Sequence, residues 1–301
     1  MTKHMKYQHL LETIGNTPII ELKRYSPNSQ ITILAKLEGN NPGGSIKDRI
    51  ALYMILDAQK KGILSKDKTI IEATSGNTGI GLAMIAAYLG YSFTAVMPES
   101  VSIERRKLLE AYGSKIILTE GKLGTNHAIE VAKNIVKENK DKYIQLDQFN
   151  NNMNVMAHYE TTGKEIIHTI PTITHFVAGM GTGGTLMGVG KRLKKYTSNI
   201  QIIGIEPKVS STIQGLRNMK AYVPSIYQES YLDVKLDLEH DEPAFELARD
   251  VFKREGVSVG ISSGAALWGA IEVSKKIKKG VIVTVFPDRG DRYISTGLFA
   301  S

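Results

Sequence analysis

One lysine stands where chemistry is possible. In the stretch KLEGNNPGGSIKDR, residues 36–49, a glycine-rich turn carries Ser45 and then delivers Lys47 to the start of an apolar helix expected over 50–58. A lysine buried enough to lose its proton can form a Schiff base with a carbonyl compound, which a solvated lysine does poorly. Three other loops are dense in glycine and hydroxyl or amide groups. The first is TSGNTG: Thr74, Ser75, Gly76, Asn77, Thr78 and Gly79. Its hydroxyls and free backbone N–H groups at a helix start suit a carboxylate. The second is GMGTGGT, residues 179–185, whose four glycines and two threonines suit a phosphate. The third is GISSGAA, residues 260–266, where a serine helix cap is an equally good explanation.

A rival reading attaches to the second loop. Gly179, Gly181 and Gly184 satisfy G-x-G-x-x-G, and Glu206 lies 22 residues beyond Gly184 at the end of an expected strand. That is the dinucleotide-binding pattern, with an acid for a ribose. It leaves Lys47 and the other two loops without a task.

These loops need a scaffold, and the hydrophobic pattern supplies one. Strands are expected over 69–73, 93–97, 115–119, 175–179, 201–206 and 281–286. Helices are expected over 78–89, 103–112, 126–137, 184–196, 243–255 and 263–278. Such alternation predicts mostly parallel sheets with helices on both faces, and ligands at the carboxyl ends of the strands. All three loops are read as passing from strand to helix. Two series, about 69–146 and 175–286, are separated by an Asn-rich stretch, 148–159, expected to form a crevice or hinge. Residues 15–36 read as a hairpin around SPNS.

The composition narrows the possibilities. The chain has 301 residues, enough for about two domains. There is no cysteine, which excludes disulfides, thiolate nucleophiles and sulfur-ligated metals. The seven histidines show no ligand spacing, so no metal is expected, and His158 reads as structural. The charge of +8 is dispersed; an anionic small-molecule site and a lysine-rich surface explain it better than nucleic acid. No apolar run approaches the ~18 residues of a membrane span. The polar start predicts no secretion signal, hence a cytoplasmic protein.

With these motifs in order, the chain resembles the fold-type II pyridoxal-phosphate (PLP) enzymes, and among them the O-acetylserine sulfhydrylases, or cysteine synthases. TIGNTP, KLEGNNPGGSIKDR, EATSGNTGIGLAMIAA, MPESVSIERRKLL, QFNNNMN, GMGTGGT, GISSGAA and DRGDRYISTGLF carry the resemblance over nearly the whole chain. The details EGNNP, QFNN and DRGDRY look most like the bacterial B isozyme, whereas GTGGT and SIERRKLL are A-like. Of the B-type arginine pair that suits a larger anionic sulfur donor, Arg217 alone matches.

The resemblance implies two three-layer α/β/α domains with the active site in the cleft between them. Residues 1–15 and 37–148 would form a small mobile domain, and 16–36 and 149–301 a large domain that binds the PLP phosphate. Lys47 would hold PLP as an internal aldimine and act as the proton-transfer base. Asn77 would bond the ring hydroxyl, and Gly181, Thr182, Gly183, Gly184 and Thr185 the phosphate. Ser262 would face the pyridine nitrogen. Thr74, Ser75, Asn77 and Thr78, with Gln148, would take the substrate.

The implied reaction is β-replacement. O-acetyl-L-serine and sulfide become L-cysteine and acetate through an α-aminoacrylate. The same scaffold also serves cysteine desulfhydrase, lanthionine-forming and cystathionine β-synthase activities on L-cysteine or L-serine, for which Asp233 is a candidate acid. The family also implies a homodimer; binding to serine acetyltransferase is not decided by these residues.

Overall fold

The computed structural model describes residues 6–74 and 76–299. Its strands are β1 (Ile19–Glu21), β2 (Ile31–Leu37), β3 (Thr69–Ala73), β4 (Ser92–Pro98), β5 (Lys115–Thr119), β6 (Tyr143–Gln145), β7 (His175–Gly179), β8 (Gln201–Pro207), β9 (Val234–Leu238) and β10 (Gly280–Phe286). Its α-helices are α1 (Lys47–Lys60), α2 (Asn77–Leu89), α3 (Ile103–Ala111), α4 (Gly124–Glu138), α5 (Met153–Ala157), α6 (Gly163–Thr169), α7 (Gly184–Tyr196), α8 (Glu242–Glu255) and α9 (Ile261–Lys276).

The strands form two sheets. One has the order β5-β4-β3-β6 and is wholly parallel. The other runs β1-β2-β10-β7-β8-β9 and is parallel except for the β1–β2 hairpin. Each sheet is covered on both faces. In the smaller, α4 lies on one side and α2, backed by α1 and α3, on the other. In the larger, α8 and α9 cover one face, and α7 with α5 and α6 the other.

The sequence explains these layers. The segment NTGIGLAMIAAYL has no polar stripe, so α2 is a buried helix: residues 78–86 are all buried. Gly90, at φ +71°, ends it with a left-handed cap. The α4 helix instead turns Ala128, Ile129 and Ala132 inward and leaves its lysines in water.

One expectation needs correction and another needs refining. The third loop does not follow a strand. Helix α8 stops at Gly256 (φ +67°), and the four residues 257–260, in neither helix nor strand, lead straight into α9. Those residues pair with no sheet; Gly260 donates to the Asp288 carbonyl at 3.1 Å instead. The stretch 148–159, expected to form a crevice or hinge, does line the cavity through Gln148 and Phe149, but much of it is packed inside. Asn151 Oδ1 accepts the Met153 N–H at 2.9 Å and starts α5, and Asn154 and His158 are fully buried. The short strands β6 and β9 and the helix α6 escape the hydrophobic pattern.

The crossing from the large sheet to α1 is held by buried charge. Arg49 donates to both Glu38 oxygens (2.7 and 2.8 Å) and to both Glu165 oxygens (2.6 and 2.8 Å). Lys36 Nζ reaches Glu165 at 2.7 Å and the Thr17 carbonyl at 3.0 Å. Thr17 and Asn41 complete the shell around Glu38. Arg49, Glu38 and Lys36 are at most 1% exposed. Removing one partner therefore strands a charge. Arg49→Ala is expected to cost about 3–5 kcal/mol in chemical denaturation; a loss under about 1 kcal/mol, typical of surface pairs, would contradict this account.

Candidate active site

Lys47 is the first residue of α1, where a tight turn aims it into the space between the sheets. Gly44 takes φ +77°, and the Gly43 N–H donates to Asp48 Oδ2 at 2.6 Å. The Ile46 N–H donates to the Pro287 carbonyl at 2.8 Å, tying the turn to the end of β10. The amine faces a cavity of about 370 Å³. Loss of hydration lowers its pKa to about 8, while the nearby Asp288 carboxylate pulls it back up.

The TSGNTG loop joins β3 to α2. Thr74 Oγ1 accepts the N–H of Gly76 (3.3 Å) and of Gly79 (3.0 Å), so the side chain shapes the loop as well as lining the cavity. Thr78 Oγ1 donates to Gln148 Oε1 at 2.6 Å. Asn77 is gripped at both ends of its amide. Its Nδ2 donates to Asp288 Oδ2 at 2.7 Å, and Arg292 donates to its Oδ1. Tyr293 donates to the same Asp288 oxygen at 2.7 Å. Ser75 lies outside the described residues.

The opposite wall is the GMGTGGT loop at the start of α7. Gly183 has φ +86°, which favours glycine. Gly184 has no room for a side chain: a Cβ there would lie 1.8 Å from Asn154 Oδ1. Asn154 donates to the Gln148 carbonyl (2.7 Å) and to Thr182 Oγ1 (2.9 Å), linking the two walls. Gly181, Thr182, Gly183, Gly184, Thr185 and Ser262 line a smaller recess of about 50 Å³ that shares Lys47 and Asn77 with the main cavity. His158 lies beneath: Nε2 is 3.3 Å from Thr185 Oγ1 and Nδ1 is 2.9 Å from Thr162 Oγ1. Burial, with Lys47 and Arg49 nearby, lowers its pKa to about 3, so the ring is neutral.

The fold thus brings Lys47, Thr74, Asn77, Thr78, Gln148, the residues 181–185 and Ser262 to one cavity. It does not bring Asp233 there; that carboxylate pairs with Lys194 at 2.8 Å and accepts the Ile202 N–H. Glu206 is spent as well, on the Met219 N–H (2.7 Å) and Lys235 (3.0 Å), which removes the acid of the dinucleotide pattern. Arg217 lines the mouth, its guanidinium carbon 5.0 Å from the Phe149 ring. Asp288, Arg292, Asn154 and Glu72 are the supports that sequence reasoning did not single out. Their only signal was polarity inside apolar or motif segments. Among the described residues no group of three or more His, Asp or Glu could hold a metal, and no helix is long and apolar enough to cross a membrane.

The model of the family described as "Pyridoxal-phosphate dependent enzyme" matches residues 10–288. The chain is 48% identical to the cysteine synthase of Aquifex aeolicus, over 97% of this chain and 92% of that one. It is 45% identical to cysteine synthase B of Salmonella typhimurium, over 96% and 95%. Its fold matches the crystal structure of O-acetyl serine sulfhydrylase isoform 3 from Entamoeba histolytica with a TM-score of 0.93, at 35% identity, covering all of this chain and 94% of that one. The chain belongs to the PLP-dependent enzyme family and to its cysteine synthase branch.

The electrostatics of Lys47 can be tested without substrate. Asp288→Asn removes the negative charge that favours the ammonium form, so the Lys47 pKa should fall below about 8. In the cofactor-free protein, reductive methylation of Lys47 followed by mass spectrometry should then show its midpoint at lower pH than in the unaltered chain. An unmoved midpoint would remove Asp288 from this role.

Proposed function

We propose that the enzyme uses PLP to convert O-acetyl-L-serine and sulfide into L-cysteine and acetate. The observation that carries this reading is one cavity holding a partly desolvated lysine amine, a helix N-terminus rich in glycine and threonine, and a hydroxyl-rich loop at a second helix N-terminus.

The residues fit the cofactor. Peptide N–H groups at the start of α7 have no acceptor within their own helix and suit its phosphate, with Gly181, Thr182, Gly183, Gly184 and Thr185 around it. Asn77 can donate to the ring hydroxyl through Nδ2, because Arg292 occupies its oxygen. Ser262, 4% exposed on the same recess, would meet the ring nitrogen with a neutral hydroxyl. PLP supplies the aldehyde that captures an amino group and the ring that draws electrons from the substrate Cα.

The chain's own groups do the rest. Lys47 would hold the cofactor through Nζ, and the same Nζ, when free, would take the substrate Cα proton and later return it. Thr74, Ser75 and Thr78, with Gln148, hold the carboxylate at the positive end of α2. They orient the Cβ–oxygen bond so that acetate departs and sulfide takes its place. A neutral partner at the ring nitrogen makes the ring a modest electron sink, which favours loss of the β-substituent over transamination or racemisation.

The part built on the smaller sheet, assigned 1–15 and 37–148, closes over the bound carboxylate and keeps water out. The large part, 16–36 and 149–301, carries the cofactor. The desulfhydrase and cystathionine-type alternatives lose their candidate acid, since Asp233 is paired away from the cavity. We take the enzyme to work as a cytoplasmic homodimer, as its family implies; sedimentation at twice the monomer mass checks the oligomer.

Lys47→Ala should abolish L-cysteine formation, by at least about 10³-fold given the share of rate that acid–base and covalent roles together carry. Turnover within tenfold of the unaltered enzyme would sink the assignment.

A further inference from the structure

Glu72 has no place in the chemistry above, yet it is a carboxylate buried inside a strand. It is the fourth residue of β3, TIIEA, and is 1% exposed. Its Oε2 accepts the Asp147 N–H at 2.9 Å, and its Oε1 accepts the Gln148 N–H at 3.3 Å. Two consecutive peptide N–H groups converge on one carboxylate only if the chain bends sharply. Asp147 provides the bend at φ +52°, a left-handed conformation unfavourable for a residue with a side chain.

That turn presents Gln148. Its carbonyl accepts from Asn154, and its side-chain oxygen accepts from Thr78 at 2.6 Å. The amide nitrogen is then the end left for a ligand. Two residues beyond Glu72, β3 opens into Thr74, which folds the TSGNTG loop. One buried carboxylate therefore joins the strand that launches this loop to the turn that carries Gln148.

We propose that Glu72 is a positioning residue for substrate carboxylate binding: it holds the left-handed turn that presents the Gln148 amide to the same carboxylate the TSGNTG loop receives. The inference rests on the function proposed above. Glu72 touches neither substrate nor cofactor, so its effect falls on capture of the substrate and spares the chemistry. A neutral amide at position 72 keeps the volume but offers one acceptor to two donors and sets its own NH2 against a peptide N–H.

Steady-state kinetics of the PLP-loaded enzyme test this. Burial raises the Glu72 pKa to about 8 against the pull of its peptide N–H partners, so the assay is run at pH 9, where it is ionised; there Glu72→Gln should raise the KM for O-acetyl-L-serine about tenfold, the scale of one charge-assisted hydrogen bond. The kcat should stay within about twofold, and the visible absorbance of the bound cofactor should not change. In a Gln148→Ala background the same substitution should add little, because both act through one contact.

Glu72→Asp, which keeps the charge but withdraws it from the turn, should show the same pattern more weakly and serves if Glu72→Gln does not fold. An unchanged KM in a less heat-stable protein would make Glu72 merely structural. A KM rise that adds fully to that of Gln148→Ala would also overturn the proposal. An unaltered enzyme inactive on O-acetyl-L-serine would refute the proposed function instead. In that case binding of L-alanine to the loaded protein, followed by absorbance, still reads carboxylate capture: weakening by Glu72→Gln supports the role and an unchanged affinity overturns it.

Discussion

An amine used as nucleophile and base must lose most of its water without losing its anchorage, and that constraint organises this protein. Lys47 lines a cavity at the carboxyl ends of parallel strands from both sheets. Desolvation brings its pKa to about 8, and one carboxylate, Asp288, limits the fall. The backbone that carries it cannot drift. Ile46 is bonded to the end of β10, Asp48 closes the glycine turn, and Arg49 is locked to Glu38 and Glu165 in the interior. Such a cluster gives little net stability against an apolar replacement. It does give a single geometry, and TIGNTP and KLEGNN are spent on it through Thr17, Lys36, Glu38 and Asn41.

The rest of the site follows the same division. The groups proposed to meet ligands belong to loops, and buried polar side chains hold those loops. Asn77 is oriented by Asp288 and Arg292, Thr185 by His158, Thr182 by Asn154, and Gln148 by Glu72. Two of these contacts, those of Asn77, join the small sheet's loop to the C-terminal segment 288–293. Tyr293 adds another, stacking within 5.4 Å of Arg105 on α3. The proposed closure of one sheet's part over the other would have to exchange these polar contacts.

Much of this was legible in the residues. The strand–helix alternation is local, and its elements appear within a few residues of their expected ends. The glycine turn before Lys47 and the two loops at helix starts carry unusual composition, so the cavity wall could be named in advance. The supports were hidden because their partners are remote in sequence: Asp288 is 211 residues from Asn77, and Glu72 is 75 from Asp147. Strand β6 has three residues and β9 exposes most of its side chains, so neither writes a hydrophobic run. The third loop misled because GVSVG alternates like a strand but sits between two helices with no neighbour to pair with. Glu206 misled in the opposite way, since a strand-end acid after a glycine motif looks the same whether it meets a ribose or a lysine.

The lysine, the two helix-start loops and a neutral hydroxyl are proposed to form one site for PLP-dependent β-replacement. A visible absorbance titration of the PLP-loaded protein tests it most directly. O-acetyl-L-serine should replace the resting band with a new one while acetate is released. Sulfide should then restore the resting band with one equivalent of L-cysteine. A protein that stays colourless with added PLP, or whose band is unmoved by O-acetyl-L-serine, would contradict the account.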